Sequence, residues 1–374
     1  ATMISRVIGL LYRRPLGQVL GREGLGYYGY ASNLYVILLL VSSYSIPMAV
    51  SKVVSERLAL KQYRNAHKVF QGALLYASIV GGIAALVAFF GGSLLLPRNQ
   101  QNAVLALRVL APTIFLSAIL GVFRGYFQAH NTMMPTSISQ IAEQIMNAVV
   151  SVLAGFLLIQ AFATDETTHA IYGAAGGTMG TGVGVAAGLI FMLFVYGLNQ
   201  KTIKRQVARD IYHEEESLSD VLRIIFLLVT PVIFTTFIYN ASAYLDSYIF
   251  SSIQGWHGIA GKTITEQYGE FSNYYVTLIN VPLALASASA SAMMPIVSGS
   301  YATGEMDVAN DKINETIRLT MFICVPAAVG LAVLAHPIMG VLFPESTKLG
   351  ENLLMFGAVS VISVSYTHLT LPTT

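Results

Sequence analysis

The sequence contains little charge, because only 11% of its 374 residues are Asp, Glu, Lys or Arg, against roughly 25% in a soluble domain. It contains a single cysteine, Cys324, which excludes an intramolecular disulfide framework and a cysteine-rich metal site. The 21 basic and 19 acidic residues leave a formal net charge of only +2, too small to indicate a nucleic-acid partner. Together with the composition described next, these shortages exclude an intrinsically disordered chain and a secreted soluble enzyme.

Apolar residues are abundant instead, at 55% of the chain with a mean hydropathy of +0.63. Together with 32 glycines, 18 phenylalanines and 20 tyrosines, this composition is typical of an all-α polytopic membrane protein. A bilayer core of about 30 Å needs roughly 20 apolar residues per helix. By that measure the sequence predicts ten spans, at 1–20, 31–50, 70–96, 103–123, 137–163, 171–198, 221–250, 271–296, 316–334 and 352–364.

Basic residues in the predicted loops orient the chain, since cytoplasmic loops carry an excess of Lys and Arg. One set of alternate loops carries eleven basic residues: Lys52, Arg57, Lys61, Arg64, Lys68, Arg124, Lys201, Lys204, Arg205, Arg209 and Lys312. The other set carries four: Arg22, Arg98, Lys262 and Lys348. We therefore expect a multi-pass protein of the cytoplasmic membrane, with loops 51–69 and 199–220 inside and loop 164–170 outside. No cleavable signal peptide is expected, because arginines interrupt the first span.

Two nine-residue blocks, 28–36 and 268–276, agree at six positions with an offset of 240 residues. This agreement indicates an internal repeat, or else it is chance similarity between two apolar segments. A true repeat matches the second span to the eighth, and an even number of spans gives both halves the same orientation. Such parallel repeats occur in secondary transporters, whose site lies between the halves. Pro47 and Pro295 lie towards the cytoplasmic ends of these spans, where they either permit bending during gating or only kink the helix.

Several ionisable residues fall inside spans, where each costs about 3 kcal/mol unless it faces a partner or a watery cavity. Arg6 and Arg13 lie two helical turns apart on one face, and Arg14 adjoins them. Guanidinium groups bind phosphate bidentately, so this cluster favours an anionic head group, although snorkelling to the interface is the alternative. Arg108 is a further candidate for the cavity, or the partner of Glu143 in a structural ion pair.

The fifth predicted span has a polar face in an otherwise apolar helix. Its members at helical spacing are Gln140, Glu143, Gln144, Asn147 and Ser151. The face either lines a cavity and couples ion flow through Glu143, or joins helices by hydrogen bonds. Asp246 in the seventh span is a second carboxylate, either for ion coupling or for pairing with an arginine of the first span. By contrast, Gly176, Gly180, Gly184 and Gly188 have the spacing of close helix packing.

Short motifs identify a family that the sequence resembles. They are Ser5–Gly9, Gly24–Gly26, Arg124–Gln128, Met134–Thr136, Ser139–Gln140, Glu143–Gln144 and Tyr172–Ala175. With these motifs, residues 1–364 resemble the stage V sporulation protein B-like family of polysaccharide-biosynthesis exporters, related to MurJ lipid II flippases and more distantly to MATE antiporters. The resemblance implies a MOP/MATE-like bundle of two six-helix lobes around a cavity that faces each side in turn. It also implies a functional role for Arg6.

The resemblance divides the chain into an N-terminal lobe at 1–198, a cytoplasmic loop at 199–220 and a partial C-terminal lobe at 221–364. Two features depart from the family. Asn147 stands where many relatives are expected to have arginine, and residues 365–374 are polar, uncharged and expected to be a non-native tail. We also expect Ala1 to lie inside a clipped first span, and the later spans of the second lobe to be missing.

The sequence therefore predicts a flippase, not an enzyme, for an undecaprenyl-pyrophosphate-linked peptidoglycan or polysaccharide precursor such as lipid II. The predicted substrate-binding residues are Arg6, Arg13, Arg14, Arg108, Gln140, Gln144 and Asn147, and the predicted ion-coupling residues are Glu143 and Asp246. We expect a monomer without cofactor or metal, driven by membrane potential, Na⁺ or H⁺. A MATE-like cation/drug antiporter is one alternative. A membrane glycosyltransferase is another, with Asp165 and Glu166 as its only acidic pair near an external loop.

Overall fold

The computed structural model describes residues 2–130, 132–208, 210, 216–303 and 305–370. Within these ranges every regular element is helical, which confirms the predicted all-α class. The helices are α1 (Thr2–Leu39), α2 (Ile46–Ala59), α3 (Tyr63–Leu95), α4 (Val104–Ala129), α5 (Met134–Phe162), α6 (Glu166–Ala208), α7 (Leu218–Trp256), α8 (Gly261–Gly269), α9 (Val276–Thr303), α10 (Met306–Val333), α11 (Ala335–Leu342), α12 (Lys348–Gly357) and α13 (Val359–Thr370).

Three short helical segments lie between these helices. Leu40–Tyr44 and Glu270–Tyr275 are π-helical, and they join α1 to α2 and α8 to α9. Arg98–Ala103 is a 3₁₀ helix before α4. The second π-helical segment lies within the repeated block 268–276, whereas the first begins after the block 28–36 has ended.

Seven helical stretches of the described ranges are long and apolar enough to cross a membrane, or eight if the bent pair α12 and α13 forms one span. The predicted count of ten is not confirmed. One stretch, Val7–Ala59, covers two predicted spans. Within it, Gly21 has φ of +67° and ψ of 176°, which interrupts the helix between the predicted spans 1–20 and 31–50. A glycine is required there because this conformation is strained for other residues.

The chain forms two compact units, Ala1–Thr265 and Glu266–Thr374. Helix α7, which the sequence assigned to the second lobe, packs on α1, α2 and α3 in the first unit. The division into lobes at 199–220 therefore does not coincide with the packing boundary. In the second unit, α13 continues through Thr370, past the expected start of a tail at 365, and buries Ser365 with its Oγ 3.2 Å from Cys324 Sγ.

Helices α5 and α6 make the most extensive contact of the first unit, and glycine allows their close approach. A Cβ on Gly176 would lie 2.6 Å from the carbonyl carbon of Ala154 and from Cα of Gly155. Gly180 and Gly184 face α5 backbone in the same way. The four-residue glycine spacing is thus confirmed as a packing motif.

Replacing Gly176 with alanine is expected to lower the unfolding free energy by about 1–3 kcal/mol, because backbone atoms cannot move aside for the methyl group. Gly197→Ala in the same helix is the control. It has nothing within 4 Å of its added Cβ, so alanine is expected to stabilise it slightly. Thermal unfolding in detergent measures both, and equal midpoints would contradict the packing role.

Candidate functional site

The polar face predicted on α5 divides into two parts. Asn147 and Ser151 are buried at the contact with α6, where Ser151 Oγ lies 2.9 Å from Asn147 Oδ1 and 2.7 Å from the carbonyl oxygen of Gly177. The contact with Gly177 is the interhelical hydrogen bonding considered from the sequence, whereas the contact with Asn147 lies within α5. Gln140, Glu143 and Gln144 remain partly accessible.

Glu143 forms an ion pair with Arg124 of α4, whose Nη2 lies 2.7 Å from Glu143 Oε2. The same guanidinium donates from Nε to Ser139 Oγ at 3.0 Å. The side chains of Arg124 and Glu143 are only 16% and 22% exposed, so the pair is largely removed from water. Sequence reasoning counted Arg124 among the loop cations and considered Arg108 as the partner of Glu143. That pairing was wrong, because α4 extends to Ala129 and places Arg124 beside α5.

Three buried tyrosines of α1 extend this polar interior. The buried Tyr12 side chain lies close enough to Tyr28 and Asn147 to interact with both. Tyr35 is close enough to Ser117 of α4 and to Glu143 to interact with both electrostatically. Sequence reasoning missed these tyrosines, although Tyr28 and Tyr35 are both conserved between the repeated blocks at 28–36 and 268–276. The polar interior of α1, α4 and α5 is hereafter the tyrosine–glutamate cluster: Tyr12, Tyr28, Tyr35, Glu143 and Asn147.

The predicted arginines of α1 lie next to this cluster along the chain. Arg13 is half-buried and electrostatically affects Tyr12, whereas Arg14 is exposed. The backbone of Arg6 is part of α1, but its side chain lies outside the described residues. The structure therefore brings one predicted arginine, Arg13, close to the polar interior.

Other predicted residues lie elsewhere. Arg108 is exposed, donates from Nε to the carbonyl oxygen of Phe89 at 3.3 Å and lies over the Phe89 ring at 5.8 Å. Asp246 is exposed on α7. Pro47 lies in the first turn of α2 and packs closely against α4. A Cβ built on Gly125 of α4 would lie only 2.9 Å from Pro47 Cα. The side chain of Pro295 lies outside the described residues, and its backbone belongs to α9.

The acidic pair Asp165–Glu166 has a structural explanation. Asp165 Oδ1 accepts from the backbone N–H of Thr168 at 2.7 Å, and this hydrogen bond lowers the pKa of the Asp165 carboxyl. Asp165 thus precedes α6 as a helix-capping residue. Glu166 binds Lys262 Nζ at 2.6 Å. Both carboxylates therefore make structural contacts, a helix cap and an ion pair, which disfavours a role for them in a glycosyltransferase site.

On the predicted outer side, the start of α8 contacts the segment of α1 that follows Gly21. Lys262 Nζ lies 4.0 Å from Glu23 Oε2, and the buried Glu23 carboxylate also accepts from the Tyr27 hydroxyl at 2.7 Å. Gly26 faces the backbone of Thr265, where an added Cβ would overlap the carbonyl group. The Thr265 hydroxyl donates to Gln100 Oε1 at 2.8 Å. These residues close one end of the first unit.

The fold is that of transporters of the MOP superfamily. The structure is similar to an inward-facing multidrug resistance MATE family transporter of that superfamily. The match covers 97% of this chain and 81% of the transporter chain, with a TM-score of 0.67 and 11% sequence identity. A second match, to a MOP superfamily transporter from Pyrococcus furiosus Vc1, covers 98% of this chain and 78% of the transporter chain, with a TM-score of 0.60 and 14% sequence identity. At these identities the likeness concerns the fold alone.

The sequence gives the family. The profile of the polysaccharide biosynthesis protein family matches residues 1–300, and the chain belongs to that family. Lipid II flippase MurJ of Bacillus subtilis (strain 168) is 24% identical over 371 residues, which cover 95% of this chain and 67% of that protein. Stage V sporulation protein B of the same organism is 25% identical over 358 residues, which cover 92% of this chain and 65% of that protein. The chain spans about two-thirds of the length of both relatives.

These relationships confirm the predicted family and a multi-pass membrane protein related to flippases and exporters. The named activities among the relatives are transport rather than catalysis, which confirms that the family is not one of enzymes.

Proposed function

We propose that the chain belongs to an exporter that moves an undecaprenyl-pyrophosphate-linked sugar, such as lipid II, from the cytoplasmic leaflet to the outer leaflet by alternating access. The observation that carries this proposal is a cation, Arg13, beside a buried tyrosine–glutamate cluster inside a helical unit. The similarity to lipid II flippase MurJ supports the substrate class.

The chemistry of the substrate explains the choice of residues. A diphosphate linked to a lipid carries charge that must be neutralised at membrane depth, and the planar guanidinium binds two phosphate oxygens at once. Arg6, Arg13 and Arg14, with Arg108 in a lesser role, supply this charge in the proposal. Tyrosine hydroxyls and the amides of Gln140, Gln144 and Asn147 supply neutral hydrogen bonds to the sugar.

Ion coupling is assigned to carboxylates. Glu143 is held by Arg124 in this structure, so uptake of a proton or Na⁺ at Glu143 would have to weaken that ion pair. Asp246 is the second proposed coupling residue. Pro47 and Pro295 permit bending between the two states within a monomer. No resident cofactor or metal is part of the proposal.

Transport assays on the complete protein test the roles of the arginines. Arg6→Lys retains the charge but loses the bidentate fork, so it is expected to lower flipping of the lipid-linked precursor about tenfold, the equivalent of 1.4 kcal/mol. Arg64→Lys, on the exposed cytoplasmic end of α3, is the matched control and is expected to retain activity. Equal activity of the two variants would remove the cavity role of Arg6.

Depletion of the protein tests the substrate. A lipid-linked sugar diphosphate is expected to accumulate on the cytoplasmic face of depleted cells, and chemical analysis of the accumulated lipid identifies its sugar. Depleted cells that accumulate no such lipid would contradict the proposed function.

A cation/drug antiporter is the second candidate, and the MATE fold of the structural neighbours is the observation in its favour. An antiporter of cations needs negative charge in its cavity. In the first unit, however, the partly accessible Glu143 is already paired with Arg124, so its charge is neutralised in this structure. This ion pair disfavours a cationic substrate at Glu143.

A further inference from the structure

Two cations at the end of the first unit that is predicted to be cytoplasmic bind Glu216, the residue that precedes the cap of α7. Arg57 of α2 donates from Nη2 to Glu216 Oε1 at 2.6 Å. Lys68 of α3 donates from Nζ to the Glu216 carbonyl oxygen at 3.2 Å. Asn65 Oδ1 accepts from the Glu216 backbone N–H at 3.1 Å. Glu216 thus brings two acceptor oxygens to one short stretch of the α2–α3 hairpin.

The pairing between Arg57 and Glu216 is incomplete. Arg57 Nε and Glu216 Oε2 are both buried, and neither has a hydrogen-bond partner. A guanidinium fork normally engages a carboxylate through two parallel hydrogen bonds. Here only one of these bonds is made, although the Arg57 side chain is just 18% exposed. Burial of an unpaired donor and an unpaired acceptor costs free energy that a better-fitting anion would recover.

The hairpin itself is strongly basic, although Asp210 Oδ2 accepts from the backbone N–H of Arg64 at 2.6 Å. Within the described part of this hairpin, residues 52–68 carry five cations, Lys52, Arg57, Lys61, Arg64 and Lys68, and one acidic residue, Glu56. Lys61 adopts a φ of +59°, a conformation that glycine or asparagine adopts at lower cost at the end of a helix. A lysine at such a position adds positive charge to the hairpin at the expense of backbone strain.

We propose that Arg57 and Lys68 form a binding site for a phosphate group, which Glu216 occupies in this structure. A phosphate offers three oxygens in place of one carboxylate oxygen and one carbonyl oxygen. It can therefore bind both Nε and Nη2 of Arg57 while it accepts from Lys68. Binding releases Glu216 from the hairpin, so anion binding and docking of the segment before α7 are competing equilibria. This site is separate from the tyrosine–glutamate cluster, and failure of either proposal leaves the other intact.

Binding of inorganic pyrophosphate to the full chain in zwitterionic nanodiscs tests the site. Glu216→Gln removes the charge of the competing group and is expected to tighten pyrophosphate binding about tenfold. Arg57→Lys retains the charge without the fork and is expected to weaken binding about tenfold. Arg64→Lys on the same hairpin is the matched control, with no expected change beyond twofold. Thermal unfolding of each variant verifies that it is folded.

A second arm separates a free diphosphate from a lipid head group. The same variants are compared for binding to vesicles of phosphatidylglycerol with phosphatidylcholine and to vesicles of phosphatidylcholine alone. The proposal holds if the variants change the response to pyrophosphate, to the anionic vesicles or to both in the expected order. It is overturned if Glu216→Gln changes neither response, or if Arg57→Lys behaves like Arg64→Lys, because the contact is then only structural.

Discussion

Arg124→Gln is expected to lower the unfolding free energy by roughly 3 kcal/mol, because it leaves the Glu143 carboxylate largely buried without its cation. Removal of one member of a desolvated ion pair costs more than removal of both, since the remaining charge has no compensation. The double variant Arg124→Gln with Glu143→Gln is therefore expected to be more stable than the single variant Arg124→Gln.

Chemical unfolding in detergent is measured for the unchanged protein, the two single variants Arg124→Gln and Glu143→Gln, and the double variant. The four unfolding free energies give the coupling energy between the two residues. Arg64→Gln is the control for loss of an arginine, because its side chain is exposed. Additive effects of the two single substitutions would contradict the ion pair. A charge exchange, Arg124→Glu with Glu143→Arg, provides a second measure. If this double variant is more stable than either single charge reversal, the two residues are in direct contact.

Gly26→Ala is expected to separate the outer segment of α1 from the start of α8. Its added methyl group meets the carbonyl group of Thr265, and backbone atoms at a helix contact cannot give way as a flexible side chain can. Gln100, which is fully buried and accepts from the Thr265 hydroxyl, should then become accessible. A shift of 1.4 kcal/mol in the equilibrium between the closed and the separated contact corresponds to about a tenfold change in the separated population.

Labelling by a membrane-impermeant thiol reagent measures this opening. Gln100→Cys is the reporter, and the background is low because Cys324, the one native cysteine, is buried. The labelling rate is expected to rise about tenfold when Gly26→Ala is added. Gly9→Ala in the same helix, where nothing lies within 4 Å of the added Cβ, is the control and is expected to leave the rate unchanged. Equal rates in both backgrounds would refute the closed outer contact.

Hydropathy and glycine spacing predicted much of the fold because both are local properties. The span predicted at 137–163 is α5, Met134–Phe162, and the glycines of α6 pack as expected. The predicted count of ten spans is not confirmed in the described residues. Helices α1 and α2 form one long apolar stretch around a single glycine break, and hydropathy does not record a backbone angle.

The site was harder to predict because its contacts join distant helices. The spacing on α5 identified Glu143 and Asn147, but it gave no indication that Arg124 of α4 lies beside Glu143. Tyrosines in an apolar helix resemble other aromatic core residues in sequence. Only the packing of α1 on α5 shows that Tyr12 lies beside Asn147.

The most direct test of the account is equilibrium binding of two ligands to the full chain in nanodiscs. These are an undecaprenyl-diphosphate-linked sugar and a lipophilic cation. We expect the lipid to bind in preference, and Arg13→Lys to weaken that binding about tenfold while Arg64→Lys does not. Preferential binding of the cation, with no effect of Arg13→Lys on either ligand, would contradict the proposal of an anionic lipid substrate.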